Sequence, residues 1–126
     1  FNSTFYYTPR GVHLDSYYEK YNKFQVSCGG NPDIGANLGN LLFQSGYDQI
    51  ELFPGGFHLD SKEPDYLYDF LQFWKELMKS GSKGMLDAGF ISEEEIRLME
   101  VDLDAIYKDE NPVFYYRFVQ ASATLT

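Results

Sequence analysis

Apolar residues recur at helical spacing in several stretches of the chain and gather into two denser apolar runs. Tyr17, Tyr21, Phe24 and Cys28 lie at i, i+4, i+7 and i+11, one face of a helix over 16–28. Asp15 or Ser16 reads as its N-cap, Ser16 with Glu19 as a capping box, and Gly29-Gly30 as its stop. Residues 1–14 before it read as extended or irregular, with a turn at Pro9 and Gly11. Asn31-Pro32 restarts a helix as N-cap and N1, Ile34, Leu38, Leu41 and Leu42 form its apolar stripe, and Gly46 ends it. A strand follows over Tyr47 to Leu59 with Ile50, Leu52 and Phe53 at its heart, and Pro54-Gly55-Gly56 is expected to end or bulge it.

Asp60 or Ser61 reads as the cap of the next helix, over 64–79. Leu67, Phe70, Leu71, Trp74, Leu77 and Met78 share one face of it, and Tyr66 and Phe73 widen that face beyond one contact surface. A short helical piece fits Lys83–Ala88. Ser92 opens a helix whose first turn holds Glu93, Glu94 and Glu95, where the helix dipole favours anions. Ile96, Met99, Leu103 and Ile106 are its buried stripe, and Asn111-Pro112 breaks it. Val113 to Thr124 reads as a strand, apolar on both faces through Val119, which suits a sheet covered by helices on both sides.

Composition narrows the functional classes. The 126 residues fit one domain or part of a larger one. Ten Lys+Arg against nineteen Asp+Glu leave a net charge of −9, the wrong sign for a nucleic-acid or anionic-membrane binder. A single cysteine, Cys28, excludes an internal disulfide framework. No apolar run reaches the roughly 18 residues of a membrane-spanning helix, no signal peptide is evident, and a cytoplasmic location is expected. Residue 1 is Phe rather than Met, so the chain is expected to begin further upstream. Aromatic residues make up 18%, enough for a Tyr-rich core and interface or a pocket lined with rings.

Candidate chemistry is sparse. His13-Leu14-Asp15 and His58-Leu59-Asp60 hold the only two histidines, and two His-x-Asp pairs suit a transition metal. The stronger reading is a strand end followed by a helix cap in both copies, so no metal is expected. Gly29-Gly30-Asn31-Pro32-Asp33 matches no phosphate-loop pattern and reads as a turn between helices. Eight acids between 93 and 110 stand against Arg97 and Lys108, read as a solvated helix face ahead of an acidic docking surface.

Gly29-Gly30-Asn31-Pro32-Asp33-Ile34-Gly35, then Leu38, Leu41-Leu42, Gly46-Tyr47 and the strand Ile50–Phe53 resemble the back half of class I S-adenosylmethionine-dependent methyltransferases. Leu86–Gly89, Ile91–Ile96, Asp109–Tyr116 and Gln120-Ala121 resemble the end of the same group, so that the resemblance spans about residues 25–123. The family's (D/E)-x-G-x-G-x-G cofactor loop and its ribose-gripping acid are absent from the chain. The resemblance therefore implies a C-terminal, substrate-side portion that is inactive alone. It would partner a missing N-terminal half that holds S-adenosylmethionine, and would bind no cofactor itself.

The implied fold is α/β, with helices on a small antiparallel pair, Asp48–Phe53 and Val113–Ala121, that would end a Rossmann-like sheet. About 61–110 would be a helical insertion between those strands in a single domain, and the acceptor would be a small molecule. His13 and His58 are the candidate bases, and Tyr18, Tyr21, Phe57, Trp74 and Tyr115 the candidate substrate wall. A homodimer is expected, through the last strand's edge or the aromatic helix 64–79. The alternative is a non-enzymatic α+β binding or dimerisation module.

Overall fold

The computed structural model describes residues 5–125. The chain runs β1 (Phe5–Thr8), α1 (Val12–Ser27), α2 (Ile34–Gln44), β2 (Tyr47–Asp60), α3 (Pro64–Lys79), α4 (Ser82–Asp87), α5 (Glu93–Lys108) and β3 (Val113–Leu125). The strands form one antiparallel sheet in the order β1-β3-β2. The expected strand pair is thus a three-stranded sheet, and α3–α5 lie in sequence between β2 and β3 as anticipated.

The strand that periodicity missed is β1. Its four residues pair with the start of β3, Phe5 with Tyr116 through to Thr8 with Val113. Four residues are too few to show a period, and they form a strand because β3 offers them a ladder.

β2 also departs from expectation. It passes through Pro54-Gly55-Gly56 without a break, and its irregularity lies between Asp48 and Glu51, where Gln49 has a φ of 51°. Pro54 is tolerated because β2 is an edge strand and the missing N–H falls on the outer side. Gly56 lies so close to the Tyr116 carbonyl that a Cβ there would collide with it.

Side chains alternate across the sheet. On one side, Phe57 and Phe118 reach Phe70 of α3 or each other, with ring centroids 5.4–5.7 Å apart. Leu52, on the opposite side, meets Gly39 of α2. Helices therefore reach both faces of the β2–β3 ladder, as the two-sided apolar pattern of β3 requires.

The core lies on the α3 side. Tyr7 and Phe114 from the sheet join Leu14 and Tyr17 of α1, Leu67, Leu71, Trp74 and Met78 of α3, and the stripe Ile96, Met99, Leu103 and Ile106 of α5. Trp74 meets Phe5, Phe114 and Tyr116 at 5.0–5.2 Å between centroids. Tyr17 crosses from α1 to donate its hydroxyl proton to the Met78 carbonyl at 2.6 Å.

Three helix starts differ from expectation in their caps. α1 begins at Val12, not after Ser16, with Gly11 as N-cap and no side-chain cap of its own. Asp102 of α5 takes its place, accepting the backbone N–H groups of His13 and Leu14 at 2.9 Å. A tertiary contact thus performs the service expected of Asp15 or Ser16. α2 starts at Ile34 with Asp33 before it, because the Asn31 side chain accepts the Asp33 N–H at 2.9 Å in a turn instead of capping. In α3, Glu63 is the N-cap, while Asp60 accepts the Lys62 N–H. The capping box of Ser92 and Glu95 is present as expected.

The apolar stripe of α2 is where the expected burial fails. None of Ile34–Gln44 is buried, and Ile34, Leu41 and Phe43 are exposed. The stripe formed the helix, but the described residues cover only part of it.

Trp74→Ala is expected to cost about 3–5 kcal/mol, since it removes a buried ring that joins α3 to the sheet. Phe73→Ala, one position along but 58% exposed, is expected to cost under about 1 kcal/mol. Denaturant unfolding of both variants measures the difference.

Candidate functional site

A cleft of about 520 Å³ runs along Tyr116–Val119 of β3. Pro54 and Gly55 of β2, Gln25 of α1 and Asn31–Ala36 also line it. Volume and mixed lining suit a small molecule or an extended segment of chain. Burial raises the pKa of Tyr116, so its hydroxyl stays protonated and able to donate at neutral pH. The side-chain oxygens of Asn22 and Gln25, one turn apart on α1, are buried without a hydrogen-bond partner among the described residues. Such an omission costs about 1–3 kcal/mol per group.

The residues expected to form a substrate wall are not gathered in this cleft. Trp74 is 1% exposed and belongs to the core, which corrects its expected place on a pocket wall. Tyr18 packs edge-on against Phe5 at 4.4 Å, in the layer that holds Trp74. Tyr21 lies against Gly81 at the end of α3. Phe57 is 48% exposed and sits with Phe70 and Phe118. Tyr115 points to the opposite face, beside His58 at 5.9 Å. Phe57 and Tyr115 part because they lie on adjacent strands at opposite phases of the pleat, and Tyr18, Tyr21 and Trp74 follow the faces of α1 and α3.

The histidines are both exposed and play different roles. His13 lies in the first turn of α1, so His13-Leu14-Asp15 is helical and its i, i+2 side chains do not share a face. Asp15 is not a cap; it pairs with Arg10 at 2.9 Å and accepts the Tyr7 hydroxyl at 2.6 Å. Burial first, and then that carboxylate, holds the Tyr7 pKa well above its ordinary value. His58-Leu59-Asp60 ends β2, with His58 58% exposed and its Nδ1 3.9 Å from the Asp60 carboxylate. Among the described residues no group of three or more His, Cys, Asp or Glu is placed to hold a metal ion.

The acids of α5 are more occupied than a solvated face would be. Glu95 bonds Lys20 of α1, Asp104 bonds Lys75 of α3 at 2.6 Å, and Glu100 bonds Lys79 of α3 at 2.9 Å. Glu94 pairs with Arg97 within α5, and Asp102 caps α1. These acids lie along the seams between helices, a placement that a helical wheel of α5 alone does not show.

The strand-to-helix turn leading into α1 tests whether a nucleotide-like cofactor fits there. In a dinucleotide fold the helix N-terminus offers free N–H groups to the ligand. Here the N–H groups of His13 and Leu14 are taken by Asp102, and Gly11 is so tight against that carboxylate that a Cβ would overlap it. The start of α1 does not fit a nucleotide-like cofactor such as S-adenosylmethionine.

No family model matches the chain, and no curated protein matches it. Among the described residues no helix is long and apolar enough to cross a membrane.

The Glu95 pKa is lowered, first by the hydrogen bond from Lys20 and then by the Ser92 backbone N–H. A depressed carboxylate stabilises the fold above its unfolded-state pKa, and that contribution is lost as pH falls through the lower, folded value. Glu95→Gln is therefore expected to flatten the acid limb of the stability profile while changing little below it. Thermal unfolding across acidic pH checks this.

Proposed function

We propose that this chain is the C-terminal, substrate-side portion of an S-adenosylmethionine-dependent methyltransferase acting on a small molecule. One observation carries the reading: β3 is an inner strand, antiparallel to β2, with three helices inserted between the two. That is the arrangement the resemblance implies for the last two strands of such a sheet. The quoted motifs support that reading, and the antiparallel β2–β3 pair is compatible with it.

On this reading the cofactor belongs wholly to another half of the enzyme. This chain contributes the sheet's last strands, the helical layer and side chains facing the acceptor. Of the residues expected to serve there, His58 with Tyr115 is the pair in direct proximity on an open face, so His58 is the better placed candidate base. His13 sits in the tightly held start of α1.

The chain alone is expected to show no S-adenosylmethionine binding by calorimetry, and a protein extended through the upstream coding sequence to bind it. Micromolar binding by the chain alone would overturn the division of labour proposed here.

A second reading, a non-enzymatic dimerisation module, is favoured by one feature. α3 carries a second apolar stripe, with Tyr66 and Phe73 exposed beside Phe70, and Phe57 continues it onto the sheet. Aromatic residues are enriched at protein interfaces. If this stripe dimerises the chain, sedimentation at micromolar concentration gives a dimer that Phe73→Asp converts to monomer. A dimer unaffected by that change would remove α3 from the interface.

A further inference from the structure

We infer that the cleft between β3 and the α1–α2 connection binds a small zwitterion, a free amino acid with an apolar side chain, its carboxylate on Arg117 and its ammonium group on Asp33. The inference goes beyond the methyltransferase reading and does not rest on it. The site belongs to these residues in either reading of the chain.

Among the described residues every Lys and Arg except Lys108 and Arg117 pairs with an acid. Lys108 sits in the last turn of α5, where the helix dipole favours a cation. Arg117 has no such setting. It is an exposed strand residue that lines the cleft of about 520 Å³, and among the described residues it holds neither an ion pair nor a hydrogen bond. In a chain with nineteen Asp+Glu against ten Lys+Arg, a guanidinium that meets no acid stands out. Its five N–H donors form a planar fork that matches a carboxylate.

An acid in the same condition lines the same cleft. The main chain of Asp33 is held in place: its N–H bonds the Asn31 side chain at 2.9 Å, and its carbonyl accepts the Ala36 N–H at 3.0 Å. Its carboxylate makes no side-chain cap on α2 and no ion pair among the described residues. Arg117 and Asp33 thus line one cleft with opposite charges, too far apart to pair with each other. Opposite charges that face one space without meeting are complementary to a ligand that carries both signs.

Gln25 adds an uncommitted amide to the lining. Its side-chain oxygen is buried without a partner, as is that of Asn22 one turn earlier. Asn22 lines a second hollow of about 450 Å³, which adjoins the first at Pro32 and Asp33. Buried polar groups are nearly always met. An amide offers a donor or an acceptor according to how it is turned, so these two can follow either end of a bound ligand. Ile34, Pro54 and Val119 supply apolar lining, against which a hydrocarbon side chain sheds water. A plain anion would leave Asp33 facing it, and a plain amine would leave Arg117 unmet. The ligand therefore carries both charges.

The test is an NMR titration of the chain with valine, leucine and phenylalanine, and with phenylethylamine and phenylpropanoate, which lack in turn the carboxylate and the ammonium group of phenylalanine. Saturable shifts are expected at the Gly35 and Arg117 amides with the amino acids. The amine and the acid are each expected to bind on the order of 10-fold or more weaker than phenylalanine, the worth of one charged hydrogen-bonded contact. Arg117→Gln is expected to weaken phenylalanine and phenylpropanoate by a similar factor and to leave phenylethylamine unchanged. Asp33→Asn is expected to weaken phenylalanine and phenylethylamine and to leave phenylpropanoate unchanged. Loss of folding would not give this crossed pattern.

Three results overturn the inference: no saturable shift with any of the amino acids, an amine or an acid that binds as tightly as phenylalanine, or variants that weaken every ligand alike. S-adenosylmethionine plays no part in these titrations, so their failure leaves the functional reading where it stands. An extended protein that fails to bind S-adenosylmethionine removes the methyltransferase and leaves this site.

Discussion

The packing of Trp74 against Phe5, Phe114 and Tyr116 fastens the helices to the sheet, and the rest of the architecture hangs from it. A small sheet with a four-residue edge strand gains its stability by packing against helices. The ring cluster lets one α3 side chain touch both β1 and β3, so helix and sheet close together. Each aromatic side chain withdrawn from water is worth about 1.5–3 kcal/mol. The edge-to-face geometry of Trp74 with Phe114 and Tyr116 adds directional preference to that burial.

Around this anchor the helices are tied by polar groups that reach across elements. Asp102 caps α1 from α5, the Tyr17 hydroxyl bonds a carbonyl of α3, and Lys20, Lys75 and Lys79 meet acids of α5. Exposed ion pairs contribute little singly. Their value here is register: they fix how α1 and α3 slide along α5, which apolar stripes alone leave loosely specified. Among the described residues α2 has no ion pair to another helix. α2 is apolar, uncharged and unburied, and the β3 edge beside it has no described strand partner over Arg117–Leu125. The polar ties between helices are thus concentrated where α1, α3 and α5 meet.

Local pattern determined most of the elements. The stripes of α3 and α5, the Ser92–Glu95 box and the strand from Val113 all lie where periodicity and capping put them, because burial against the core repeats the period that the sequence displays. The candidate site was far less legible. The five expected wall residues share a residue type and nothing else, and pleat phase and helix face then scattered them over the core and both sides of the sheet.

What only the tertiary structure decided are the features that depend on distant chain. β1 exists because β3 pairs with it; α1 starts at Val12 because Asp102, 90 residues away from it, supplies the cap. Pro54 stays within β2 because that strand lies at an edge, a property of sheet order that no window of sequence contains. The sequence by itself determined which stretches would coil or extend, since those follow from local spacing. Which hydrogen-bonding groups those stretches would lack, and so need from elsewhere, follows from who their neighbours are in space.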